Sequence, residues 1–128
     1  MRSMRIGLMV LWCWMLWISA SPYPSAAQPA PDLAPRYECS GETPDGRYQT
    51  TLTIVVEAEY YVLDWRAGRV VGLGIREADR LAVAFVERGS GTVGVAMYQI
   101  LPGQLLGRWS IGDGAVYRED CLVGQPAA

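Results

Sequence analysis

The stretch LPGQLLGRWSIGDGAVYREDCLV, residues 101–123, contains two turns, two short runs and a cysteine. Pro102-Gly103 and Gly112-Asp113-Gly114 are turn clusters, because proline presets φ and glycine accepts positive φ without steric cost. Each introduces a strand candidate, Leu105 to Trp109 and Ala115 to Leu122, and neither run has the 3.6-residue period of a helix. The second run holds Cys121. The only other cysteine beyond residue 27 is Cys39, which lies in the first apolar run at the opposite end of the chain.

Working back from this stretch, runs and turn clusters alternate at intervals of about eleven residues, a spacing that suits an all-β sandwich or barrel. Arg36–Gly41 precedes the turn Thr43-Pro44-Asp45-Gly46. Arg47–Val56 then places Tyr48, Leu52, Ile54 and Val56 on one face. In Tyr60–Trp65, Tyr61, Leu63 and Trp65 alternate against Asp64. Arg69–Ile75 puts Val71, Leu73 and Ile75 on one side, with Gly72 and Gly74 on the other. Leu81–Val86 and Thr92–Ile100 complete the series, giving eight strand candidates in all.

Loops of about two to five residues favour sequential hairpins. An eight-stranded up-and-down meander can close into a barrel by pairing its first and last strands, which removes both exposed edges. Cys39 and Cys121 fall in those two strands. Strands lie about 5 Å apart, and a disulfide tolerates Cα separations of that order. A small closed antiparallel barrel is therefore the expected fold, with a two-sheet sandwich as the alternative. The bridge would enclose a loop for which chain entropy gives roughly 4–5 kcal/mol. Glycines 72, 74, 94 and 107 fall inside strand candidates, and wall curvature is the favoured reading of them.

The chain opens with Arg2 and Arg5, an apolar run from Ile6 to Ala20, and small residues ending at Ala27. That order describes a secretory signal peptide over 1–27, cleaved near Ala27. The apolar run is shorter than the roughly 20 residues of a spanning helix, so no stable membrane insertion is expected after cleavage. Residues 28–35 read as a Pro-rich linker, 36–123 as the barrel domain and 124–128 as a flexible tail. Export to the periplasm or exterior makes a disulfide the simplest state of Cys39 and Cys121.

All 13 acidic residues and all but two of the 11 arginines lie beyond residue 27, which leaves a net charge near −4. No basic stripe exists to neutralise phosphates, so nucleic acid is not expected as a partner. The chain has no histidine, and hence lacks the commonest general base and metal ligand. No metal, cofactor or catalytic residue is expected. Lysine and asparagine are also missing, which fits a GC-rich coding sequence.

Two sets of residues are candidates for binding. Tyr48, Tyr61, Trp65, Tyr98 and Trp109, together with Tyr37, could line a pocket in the barrel mouth. Filling of the interior is the stronger expectation, since eight-stranded barrels are just wide enough for their own side chains. Meander topology gathers the turns near Asp45, Arg69, Gly89 and Asp113 at one end. Asp45, Arg47, Arg66, Arg69, Arg88 and Asp113 form a mixed-charge binding mouth there. Glu57 and Glu59 suit a solvated loop, and Asp64 and Arg66 a surface ion pair.

The ladder of short motifs resembles a group of small exported bacterial β proteins, some loosely labelled fibronectin-binding. It comprises Tyr37 with Gly41, Asp45-Gly46 with Tyr48, Tyr61 with Trp65, Gly72 with Gly74, Leu81 with Val83, Tyr98 with Ile100, and Gly103, Leu105, Gly107 and Trp109. The resemblance implies export and an all-β fold. The architecture is also similar to avidin and lipocalin barrels, although Gly107 to Trp109 lies in the seventh strand rather than the first. The expected function is that of an exported, non-catalytic binding or interaction module for a protein or small-molecule ligand. The alternatives are a carboxylate-based cell-envelope hydrolase and a purely structural or protease-inhibitor-like barrel.

Overall fold

The computed structural model describes residues 31–124. They form eight strands, β1 (Arg36–Thr43), β2 (Gly46–Val56), β3 (Tyr61–Trp65), β4 (Val70–Glu77), β5 (Arg80–Glu87), β6 (Val93–Leu101), β7 (Gln104–Ser110) and β8 (Tyr117–Val123). Each pairs antiparallel with its successor, and β1 pairs with β8, so the sheet is a closed barrel and not a two-sheet sandwich. The signal peptide expected over 1–27 lies outside the described residues, as does the tail beyond Gly124. Among the described residues no helix is long and apolar enough to cross a membrane.

The closing ladder sets Cys39 directly opposite Cys121. Their sulfurs are bonded at 2.08 Å and their Cα atoms lie 4.0 Å apart. Both side chains are buried inside the barrel. A buried structural disulfide of this kind fits a compartment outside the reducing cytosol.

The interior divides into two halves. Towards the β2–β3, β4–β5 and β6–β7 turns, Tyr37, Leu52, Ile54, Leu63, Leu81, Ile100 and Leu105 fill the lumen and are nearly or fully inaccessible. Residues 31–35 belong to no regular element, yet Leu33 and Ala34 pack against this core. Three hydrogen bonds hold the segment across the barrel end. Ala34 N–H donates to the Tyr37 hydroxyl at 2.8 Å, Ile54 N–H to the Pro35 carbonyl at 2.9 Å, and Arg76 Nη2 to the Pro31 carbonyl at 2.6 Å. One end is thus capped by residues 31–35.

Strand β4 turns its glycines inward and its large side chains outward. Gly72 and Gly74 are buried, whereas Leu73 and Ile75 are 59 % and 68 % exposed. The reason is lack of room. A Cβ on Gly72 would lie 2.9 Å from Val83 Cγ1 and 3.1 Å from Trp65 Cζ3, and one on Gly74 would lie 3.0 Å from Cδ1 of both Leu63 and Leu81. These strand glycines make space for neighbouring side chains.

Candidate ligand cavity at the barrel mouth

The half of the barrel towards the β1–β2, β3–β4, β5–β6 and β7–β8 turns is built from aromatic rings and glycines. Gly41 faces Tyr48 across the β1–β2 ladder, Gly94 faces Phe85 across β5–β6, and Gly107 faces Tyr98 across β6–β7. A Cβ at any of the three glycines would fall on its partner's ring. Each ring therefore lies against the wall, where the glycine leaves room for it, and the middle of the lumen stays open.

The resulting cavity has a volume of about 270 Å³. Tyr48, Trp65, Val70, Phe85 and Trp109 wall it, and Thr43, Pro44, Arg66, Glu87, Ser90, Thr92 and Ile111 surround its opening. The rings meet edge to face, with centroids 6.1 Å apart for Trp65–Phe85, 6.2 Å for Phe85–Trp109 and 6.4 Å for Tyr48–Trp109. Such pairs contribute roughly 0.5–1.5 kcal/mol each beyond area burial and fix ring orientation.

Glu119 lies deep in this cavity, only 4 % exposed. Its Oε1 accepts from the Tyr98 hydroxyl at 2.7 Å and from Trp65 Nε1–H at 3.2 Å, and its Oε2 accepts from the Tyr48 hydroxyl. Three donors on two oxygens suit an ionised carboxylate, which only accepts. Burial pushes the Tyr48 and Tyr98 hydroxyls well above the ordinary tyrosine value, and the neighbouring Glu119 charge and hydrogen bond add to the effect. Both hydroxyls stay protonated and donating. Among the described residues the buried Trp109 Nε1–H has no hydrogen-bond partner.

Below Glu119 sits the bridge, with Cys121 Sγ 3.6 Å from Oε1. Cys39, Glu119 and Cys121 bring their ligand atoms within 4.8 Å of one another. The two sulfurs are joined, so neither offers the thiolate that metal coordination requires. Among the described residues this is the one such cluster.

The opening is shaped by short polar contacts. Arg66 and Ala67 hold φ of 54° and 52°, the left-handed region that non-glycine residues avoid. From that turn the Arg66 guanidinium lies 5.9 Å from the Tyr48 ring centroid. It makes no ion pair with Asp64, whose Oδ1 instead accepts from Gly68 N–H at 2.6 Å. Glu87 accepts from the N–H groups of Gly89 at 3.0 Å and Ser90 at 2.7 Å, and from the Ser90 hydroxyl. These bonds hold its carboxyl down at about 2. Arg69 pairs with the same carboxylate at 3.4 Å.

Of the aromatic residues singled out in the sequence, Tyr48, Trp65, Tyr98 and Trp109 share the cavity. Tyr61 lies at the other end, in a shallow depression with Val56, Tyr60 and Arg76. Tyr37 belongs to the filled half. Of the mixed-charge group, only Arg66 lines the cavity. Arg47 extends towards Glu42 at 4.0 Å, and Asp113 accepts from the Tyr117 hydroxyl. Asp45 and Arg88 are exposed on loops of the same end.

Glu119 and Phe85 were not among the sequence candidates for the site. The signal for Glu119 was parity, since it stands two residues before Cys121 on one strand and so faces the same way. No family model, no curated protein and no solved structure matches the chain.

Proposed function

We propose that this chain is an exported binding module that takes a compact small molecule into the mouth of its barrel and performs no chemistry on it. The observation that carries this reading is the cavity of about 270 Å³ with aromatic walls and one convergent polar group, Glu119. Ligand sites combine mostly apolar walls with a few placed polar groups, and they span roughly 300–1,000 Å³. A volume just below that range restricts the ligand to a compact one. The buried bridge and the signal-like leader support a periplasmic or secreted location, as does the likeness of the motif ladder to exported bacterial β proteins.

Binding is favoured over carboxylate hydrolysis by the state of the two acids that line the cavity. Hydrolysis by a carboxylate pair needs both groups free to address the scissile bond. Glu119 is held by three side-chain donors, and Glu87 is engaged by its own loop and Arg69. A purely structural barrel would fill both halves of its lumen.

Trp65 and Trp109 both line the cavity, so intrinsic fluorescence reports occupancy. A panel of compact aromatic and alkyl compounds should give saturable changes in the exported protein. Val70→Phe places a ring in the cavity and should weaken every such interaction at least about tenfold with the melting temperature retained. Fluorescence unmoved by the whole panel, or equal binding by the variant, overturns the reading.

A further inference from the structure

Among the described residues the buried Glu119 carboxylate has no cationic partner. Among the described residues the ion pairs are Arg36–Glu38, Arg47–Glu42, Arg69–Glu87 and Arg80–Asp79, all away from Glu119. Its three hydrogen-bond donors are neutral groups. Burying a carboxylate is costly unless an opposite charge and hydrogen bonds compensate it, and here the hydrogen bonds are present and the charge is missing.

Around that unbalanced charge stand Tyr48, Trp65, Phe85 and Trp109. Aromatic π faces attract cations within about 6 Å of a ring centroid, most strongly where water is excluded. The Arg66 guanidinium already sits 5.9 Å from the Tyr48 ring at the opening, and among the described residues it is the one basic side chain that lines the cavity. The lining therefore has aromatic walls and a negative charge in its depth.

The geometry points to a compact organic cation as the ligand, an alkylated ammonium whose charge compensates Glu119 inside the aromatic walls. This assignment rests on the small-molecule reading above and specifies its ligand class. The ammonium replaces its hydration with ring faces and the carboxylate.

Three probes of nearly equal shape separate charge from size: choline, the neutral 3,3-dimethylbutan-1-ol and the anionic 3,3-dimethylbutanoate. Titrated into the exported protein and read by tryptophan fluorescence, choline should bind at least about tenfold more tightly than the alcohol, and the anion should not bind. Glu119→Gln keeps the side-chain shape and one acceptor oxygen, and should reduce choline to the affinity of the alcohol. The comparison in the unaltered protein stands even where that variant fails to fold. Equal or tighter binding of the alcohol overturns the cation assignment and leaves the cavity reading intact. Failure of all three probes, while neutral panel compounds bind in a Val70→Phe-sensitive way, also overturns only the cation. Failure of every compound overturns both.

Discussion

Tyr98 donates to Glu119 from a side chain that is 2 % exposed, so Tyr98→Phe removes one hydrogen bond to a buried charge and changes little else. Hydrogen bonds to charged groups contribute about 1.5–3 kcal/mol, and a loss of that size is expected as a lower urea midpoint with unchanged slope. The same contacts set an alkaline limit. In the unfolded chain Tyr48 and Tyr98 release their protons near the ordinary value of 10, whereas burial beside Glu119 keeps them protonated in the barrel. Their contribution is complete below about pH 10 and lost as pH rises further, because the folded state then binds more protons. Tyrosinate absorbance should show these two rings ionising only with unfolding. Glu87 behaves in the opposite sense. Its carboxyl is held down at about 2 from an ordinary 4.5, so its contribution is present above about 4.5 and lost as pH falls towards 2. Ser90→Ala removes the largest cause, and carboxyl-carbon NMR should find Glu87 titrating closer to 4.5.

At the level of the strand, alternation and turn chemistry made all eight elements legible, each within about two residues of its ends. What a strand pattern does not carry is which face meets a crowded interior. In β4 the sequence separates Val71, Leu73 and Ile75 from Gly72 and Gly74 without saying which side is inward, and Trp65, Val83, Leu63 and Leu81 occupy the space behind the glycines. Only contacts from other strands decide that, and they are distant in sequence. The same limit hid Glu119, a charged residue that local hydropathy assigns to solvent and strand parity assigns to the lumen. Side-chain pairing was likewise illegible: Arg66 takes the Tyr48 ring instead of the adjacent Asp64, because the left-handed turn at Arg66 and Ala67 directs the chain over the mouth. The two-residue β4–β5 connection holds Ala78 at a φ of 52°. Glycine relieves the left-handed penalty of roughly 1–2 kcal/mol and gives back about 0.4–1 in unfolded-chain freedom, so Ala78→Gly should stabilise the barrel by about 0.5–1 kcal/mol in urea titration. A destabilised variant would contradict the turn assignment.

For the whole molecule, closure and the bridge are one feature, since the Cys39–Cys121 pair lies within the ladder that joins the first strand to the last. Cross-linking across a sequence separation of 82 restricts the unfolded chain, and the entropic model gives about 4–5 kcal/mol. Cys39→Ala with Cys121→Ala should lower stability by about that amount, read as a shifted urea midpoint. Residues 31–35 and the large aliphatic side chains close one half of this cross-linked barrel, while ring and glycine pairs keep the other half open around Glu119. On the proposed reading this open half receives a ligand. Proton–nitrogen correlation spectra of the exported protein, titrated with compact ammonium and aromatic compounds, observe it directly. Saturable shifts of the Trp65 and Trp109 indole N–H signals and of the Glu119 amide are expected, with Tyr37 and Leu63 unmoved. Compounds that bind while shifting only the outward-facing Leu73, Ile75, Val95 and Met97 amides would contradict it.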